Sequence, residues 1–208
     1  MGSLNHMTAP RPDATLHRTA ETSVPIHSTH AERWSPRSFD EHAEISDETL
    51  AAALEAARWS PSAQNAQPWR FIVGRRGSAA HAAILDGLVA SNRVWAAAAS
   101  ALIVNIAVTA KPDGTPLRWA EYDLGQAVAH LTLQAHHDGL HTHQMGGIEP
   151  AALAESFGLA AELVPVSVTA LGVLGSPDAL SERLRERELA PRTRMPLEEL
   201  LLGGDRLQ

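Results

Sequence analysis

Two arginines and a hydroxyl fall within five residues at Arg33-Trp34-Ser35-Pro36-Arg37, and a second basic pair, Arg192 and Arg194, lies near the other end of the chain. Guanidinium suits phosphate because it stays charged at any physiological pH and presents paired donors to anionic oxygens. Each pair alone describes a solvated basic surface better than a binding site. They describe an anion site only if the fold brings them together. Between them runs Ser60-Pro61-Ser62-Ala63-Gln64-Asn65-Ala66-Gln67-Pro68-Trp69, where two prolines bracket six residues that are small or carry amides or hydroxyls. Proline fixes its own φ, donates no hydrogen bond and biases the preceding residue toward extended backbone. A stiff, extended loop is expected, with polar groups free to hold a polar, planar ligand.

Other chemistry-bearing residues are less specific. His136, His137, His141 and His143 invite a metal reading, yet there is no HExxH motif, so satisfied or exposed histidines are preferred and no metal is expected. Gly146-Gly147 fits either a close backbone approach, a positive φ or an ordinary turn. Trp34, Trp59, Trp69, Trp95 and Trp119 read as core or interface residues, with Trp95 and Trp119 also able to line a pocket. No Ser-His-Asp arrangement or paired catalytic carboxylates can be argued. Ser60 and Ser62 lack the setting of a nucleophile elbow.

The elements that must position these residues follow from periodicity. Ser46 reads as an N-cap, Asp47 and Glu48 favour the positive end of a helix dipole, and Ile45 and Leu50 form a hydrophobic staple. A helix from Asp47 to Trp59 is expected, with Leu50, Leu54 and Ala57 inward. Phe71–Val73 reads as a short buried strand. Ser78–Ala90 reads as a helix with Ala82, Leu85 and Val89 on one face. Ala101–Val108 is apolar and β-branched, a central strand. Trp119–His137 repeats Leu124, Val128, Leu131 and Ala135 at helical spacing, widened by Ala127 and Leu133, and reads as a core helix with little exposed perimeter. Leu140–Met145 is a short strand, Pro150–Gly158 a helix and Val164–Leu174 the last central strand. Pro177–Glu188 is a charged, mostly exposed helix, followed by a tail carrying an apolar Leu197, Leu200, Leu201 patch.

The order of elements is not strict βαβ, and neither Gly-x-Gly-x-x-Gly nor Gly-x-x-x-x-Gly-Lys is present. The fold class is therefore α+β, a mixed α/β sandwich with a mostly antiparallel sheet of about four strands and helices on both faces. A chain of 208 residues suits one domain or one subunit of a compact oligomer. Residues 27–208 are taken as that domain. Residues 1–26 are taken as a flexible arm, or one ordered only on a partner surface, with Met1–Met7 read as a vector-derived remnant. A net charge of −7 argues against a nucleic-acid footprint. The absence of cysteine excludes disulfides, thiolate nucleophiles and Cys-ligated metals, and fits the cytoplasm. No apolar run reaches the length of a membrane span.

Taken in order, Arg33-Trp34-Ser35-Pro36-Arg37-Ser38-Phe39, the Ser60–Trp69 segment, the long apolar helix, Gln144-Met145-Gly146-Gly147-Ile148 and Arg192-Thr193-Arg194-Met195-Pro196 resemble the nitroreductase family of FMN-dependent oxidoreductases. The resemblance runs from His30 to Leu201. It implies that Arg33, Ser35, Arg192 and Arg194 grip the FMN phosphate, with Trp34 in the same binding segment. It makes Arg37 the cation beside the flavin N1 and O2 edge, where it stabilises negative charge on the reduced ring. Pro61, Ser62, Ala63 and Asn65 would reach the ring from the other subunit, and Gly146 and Gly147 would pass close to N5 and O4. A homodimer with FMN at its interface is implied, its C-terminal segment packed on the partner. So is hydride delivery from NADH or NADPH through FMN N5 to a small-molecule acceptor such as a nitroaromatic or quinone. The cofactor carries that chemistry, so no catalytic acid or base is assigned. Reductive dehalogenation, flavin fragmentation, dehydrogenation and non-catalytic flavin binding remain alternatives, with a metal-dependent hydrolase the remotest. Two departures stand out: Ala63 replaces a serine found in many relatives, and the region between Phe71 and Trp119 is short, implying a more open substrate side.

Overall fold

A computed structural model of the chain describes residues 18–204. In chain order the elements are α1 (Ser28–Glu32), α2 (Asp47–Arg58), β1 (Trp69–Arg75), α3 (Ala79–Asp86), α4 (Ala90–Ala96), β2 (Ala101–Val108), α5 (Ala120–His137), β3 (His141–Met145), α6 (Pro150–Ser156), β4 (Leu163–Gly172) and α7 (Glu182–Leu189). The four strands form one antiparallel sheet in the order β1-β2-β4-β3. Strand β2 is buried along nearly its whole length because it is internal and covered on both sides. Alternation sends Ile103 to the α2/α5 side, with Leu50, Ala53, Leu124 and Leu131. It sends Leu102, Val104 and Ile106 to the opposite side, with Ile84, Leu88, Trp95 and Leu153. The expected α+β sandwich with helices on both faces is the observed fold.

Local signals explain most boundaries. The Ser46 side chain accepts from Thr49 N at 3.1 Å, and Ile45 and Leu50 are both buried in the same core. Pro150 opens α6 in its first turn. Four expectations need correction. Strand β1 is longer than Phe71–Val73, and those three residues are half-buried, since β1 is an edge strand paired only with β2.

The second expected helix, Ser78–Ala90, stops early at Asp86, Val89 is extended, and α4 from Ala90 onward had no expected counterpart; the inward residues of α3 are His81 and Ile84, while Ala82 is exposed. A buried histidine disguised that stripe. Its backbone lies so close to Gly74 that a Cβ there would come within 2.5 Å of His81 N, which is why β1 carries a glycine at this point.

Helix α5 is not buried all round: Glu121, Tyr122, Gly125, Ala129 and His137 are exposed. Glycine and alanine on that face gave it an apolar look without burying it. The charged C-terminal helix is broken as well, into a 3-10 turn at Pro177–Ala179 and α7, with Leu180 extended between them.

The expected arm to residue 17, and with it Met1–Met7, lies outside the described residues. Beyond it the chain packs on itself: the Arg18 guanidinium donates to the carbonyls of Glu188 and Ala190 and sits 4.6 Å above the Trp34 ring, and Ala20 N donates to Ala31 O. Among the described residues, no helix is long and apolar enough to cross a membrane.

Candidate functional site

The arginine segment is a loop rather than a regular element, and its backbone is held from several directions. Phe39 bridges to Leu174, Gly175 N donates to Ser38 O at 3.0 Å, and Asp40 N donates to Val173 O at 3.0 Å. The Glu188 carboxylate, on α7, accepts from Arg37 N and Ser38 N at 2.9 Å and from Ser38 Oγ at 2.6 Å. His143 Nδ1 lies 2.9 Å from Pro36 O. Trp34 is buried, while Arg33, Ser35 and Arg37 are half-buried.

The fold brings Arg33 together with Arg192 and Arg194, whereas Arg37 lies beside His143. Arg192 donates to Ala31 O at 2.7 Å, to Arg33 O at 2.8 Å and to Arg18 O, tying the tail to the first arginine segment. Arg33 Nη1 lies 3.4 Å from Ser35 Oγ. Burial lowers the Arg33 pKa from its ordinary value, and the Arg194 charge lowers it further. Arg192 is lowered by burial and then by Arg33, Arg194 and Arg18. Among the described residues, none of these guanidiniums is ion-paired to a carboxylate. Like charges gathered without a counter-charge are unfavourable alone, and an anion relieves them.

The Ser60–Trp69 loop departs from expectation. It is not extended. Ser62 is extended, but the chain then coils through a 3-10 turn, and Gln64, Asn65 and Gln67 have φ of 54°, 54° and 49°. Three non-glycine residues in the left-handed region within four positions store backbone strain, of the kind concentrated at ligand sites. Among the contacts that hold this shape, Ala63 N donates to the buried Asp123 carboxylate at 3.0 Å, and Gln67 N donates to Ser62 Oγ at 3.0 Å. Pro61, Ser62 and Ala63 then line a cavity of about 420 Å³ with Trp119, Tyr122, Asp123 and Gln126. Asn65 is exposed outside it. Trp119 is therefore a pocket residue, whereas Trp95 is buried in the core, its ring 4.6 Å from His143.

Arg33 belongs to a different cavity, a groove of about 560 Å³ along the outer face of α5, which His30, Gly125, Ala129, Gln144 and Ser167 also line. Within one chain, then, Arg33 and the Pro61–Ala63 loop line two separate cavities, both bordered by α5, while Ser35, Arg37, Arg192 and Arg194 line neither of the two. Gly146 and Gly147 follow β3, and neither has a positive φ. The close approach at Gly147 is to the chain itself: a Cβ would come within 2.7 Å of Asn92 Nδ2, and Gly147 O accepts from that amide at 3.0 Å. A Cβ at Gly146 would meet only open space.

His136, His141 and His143 make packing or backbone contacts, whereas His137 is exposed. His141 sits edge-on to Trp34 and His136, and burial, then the neighbouring His136, lowers its pKa to about 4. Burial also lowers that of His143. Among the described residues, no group of three or more potential ligands is placed to hold a metal.

Sequence reasoning missed Glu188 and Asp123, and it named His143 without its contact to Pro36 O. The two carboxylates carried a usable signal. Asp123 falls in the inward phase of α5 with Ala120, Leu124 and Ala127, and Glu188 follows the core-packed Leu184 by one helical turn. A carboxylate in an apolar phase marks a buried charge that needs partners.

Comparison with known proteins places this fold. The nitroreductase family model matches residues 31–108. A solved structure described as an oxidoreductase containing FMN is 33% identical, covers 89% of this chain and 94% of its own, and superposes with a TM-score of 0.84. An uncharacterised 15.4 kDa protein of Mycolicibacterium smegmatis is 39% identical over 145 residues, which are 65% of this chain and 95% of that protein. A Bacillus subtilis protein provisionally named an NAD(P)H nitroreductase is 28% identical over 191 residues, 73% of this chain and 90% of its own. The chain belongs to the nitroreductase family.

Proposed function

We propose that this protein is a homodimeric FMN-dependent oxidoreductase that passes hydride from NADH or NADPH to a small conjugated acceptor such as a nitroaromatic or quinone. The observation that carries the cofactor assignment is the arginine cluster. Arg33, Arg192 and Arg194 are gathered from opposite ends of the chain with no carboxylate partner among the described residues, a donor set suited to a phosphate dianion. Ser35 adds a hydroxyl beside Arg33. Arg192 has part of its donor set committed to carbonyls, so it also fixes the cluster's geometry.

FMN, when bound, supplies hydride acceptance and release at N5. The chain's own contribution is binding, orientation and electrostatics. Arg37 is assigned to the N1 and O2 edge, where a fixed cation favours the reduced ring. Gly146, with no side chain to fill the space beside it, lets a ring approach the end of β3, and Gly147 O is oriented by Asn92. Pro61, Ser62 and Ala63 serve the ring bound by the partner, with Asn65 on the same loop. The separation of the two cavities within one chain supports this division. Exposed Trp59, Val94, Trp119, Tyr122, Leu197, Leu200 and Leu202 supply apolar surface for the dimer. Trp119 and Tyr122, with ring centroids 6.4 Å apart, give the loop cavity aromatic walls that suit a planar acceptor. Hydride donation by NAD(P)H is supported by the naming of the Bacillus subtilis relative. A cytoplasmic setting is consistent with a cysteine-free chain.

The test is to reconstitute purified protein with FMN and add NADH or NADPH anaerobically. Bound flavin that bleaches, and recovers its colour with a nitroaromatic or quinone, is the expected result. Protein that retains no FMN contradicts the assignment. Flavin that binds but stays oxidised identifies a flavin-holding protein instead.

A further inference from the structure

Glu188 is only 1% exposed, yet among the described residues no basic side chain is ion-paired with it. A buried carboxylate is costly unless its oxygens are satisfied. Here they are satisfied by the arginine loop: two successive backbone amides, Arg37 N and Ser38 N, and the Ser38 hydroxyl. The neighbouring acceptor, Pro36 O, faces His143 Nδ1 at 2.9 Å, and Ser38 O accepts from Gly175 N. Residue 36 is a proline and has no N–H to place. The peptide groups from Pro36 to Ser38 are thus fixed from both sides, by charge on the donor side and by imidazole on the acceptor side.

The same carboxylate joins the two halves of the arginine cluster. It lies on α7, four residues before Arg192 and six before Arg194, and it grips the loop between Arg37 and Ser38, 150 residues away in sequence. Arg192 then returns to Arg33 O at 2.8 Å. We infer that Glu188 is a positioning residue for the cofactor site: it sets the spacing of the tail arginines from Arg33 and fixes the backbone from which the Arg37 side chain projects. This inference rests on the FMN assignment above. Glu188 touches backbone and a hydroxyl rather than the cofactor, so it acts through Arg37 and the cluster.

The experiment compares wild-type protein with Glu188→Gln and Ser38→Ala. An amide lacks the charge and sets an NH2 where Oε2 now accepts from Arg37 N, whereas loss of the Ser38 hydroxyl removes one donor and leaves the carboxylate in place. FMN affinity is expected to fall about tenfold in Glu188→Gln and about threefold in Ser38→Ala. The midpoint potential of bound flavin should fall in Glu188→Gln, but not when Arg37 is already alanine. Unchanged affinity in Glu188→Gln overturns the inference. So does a potential shift of equal size with and without the Arg37 side chain, which would mean that the carboxylate acts by its own charge. Hydrogen exchange on FMN-free protein supplies an independent readout. Protection of the Arg37 and Ser38 amides should be lost in Glu188→Gln while β2 stays protected, and retained loop protection counts against the inference. Wild-type protein that binds no FMN sinks the cofactor assignment, and the exchange result then decides whether Glu188 holds the loop.

Discussion

The two parts of the candidate site are built on opposite plans. The arginine side is rich in charge and its backbone is saturated: a buried carboxylate, a histidine and several carbonyls hold Arg33–Phe39 and the tail together. The loop side carries almost no charge, is largely exposed and stores its shape as backbone strain, with one carboxylate, Asp123, anchoring it to α5. A site for a phosphate must hold like charges close together, which demands a rigid frame. A surface for a ring needs shape and exposed amides, which a strained loop presents without burying charge. Each plan suits one end of a ligand that has an anionic end and a planar end.

Acid should separate the two sides most strongly. His141 packs against Trp34 on the arginine side, and its pKa falls from 6.5 to about 4. A base with a depressed folded pKa is protonated more readily in the unfolded chain. The stability that comes from keeping it neutral is therefore present above pH 6.5 and is lost as pH falls toward 4. The shift corresponds to about 3 kcal/mol at most. Thermal unfolding as a function of pH should show this decline, and His141→Phe should flatten it. An unchanged profile in that variant would remove His141 from the account. The loop side has no buried histidine and should contribute no such window.

Next in size is the anion site itself. A charge-assisted hydrogen bond is worth about 1.5–3 kcal/mol, so Arg33→Ala should weaken FMN binding roughly tenfold to a hundredfold. Higher salt should weaken wild-type binding and affect the variant less. Equilibrium titration with FMN at two ionic strengths checks both. The smallest effect belongs to the loop. A left-handed conformation costs a non-glycine residue roughly 1 kcal/mol. Glycine at that site also has more freedom to lose on folding, so Gln64→Gly should stabilise the protein by about 0.5 kcal/mol. A clear loss of stability in denaturant unfolding would show that the Gln64 side chain, rather than the backbone, maintains the turn.

The contrast between the sides also marks what could be read from sequence. Helix α2, strand β2 and helix α5 were legible because capping, β-branching and 3.6-residue spacing are local signals. The two arginine pairs were legible as residue types. Their meeting was legible only through the family resemblance, not from residue pattern, because it depends on α7 returning to Arg33–Ser38 through Glu188, a contact across 150 residues that leaves no periodic trace. The loop was legible as polar and bracketed by prolines, yet its left-handed turns were not, since Gln64 and Gln67 carry no glycine signature. The exposed face of α5 was hidden for the opposite reason. Gly125 and Ala129 satisfy an apolar pattern whether or not they are covered.

The central claim is that one FMN site takes its arginines from one subunit and its Pro61–Asn65 loop from the other. It is tested most directly by mixing two defective proteins, Arg33→Ala and Ala63→Trp, dissociating them together, reassembling them and counting bound FMN. In a symmetric dimer with shared sites, each mixed dimer regains one intact site, so about one site in four should recover wild-type affinity. Recovery of none, with mixed dimers demonstrably formed, would place both halves of the site in a single chain and contradict the account.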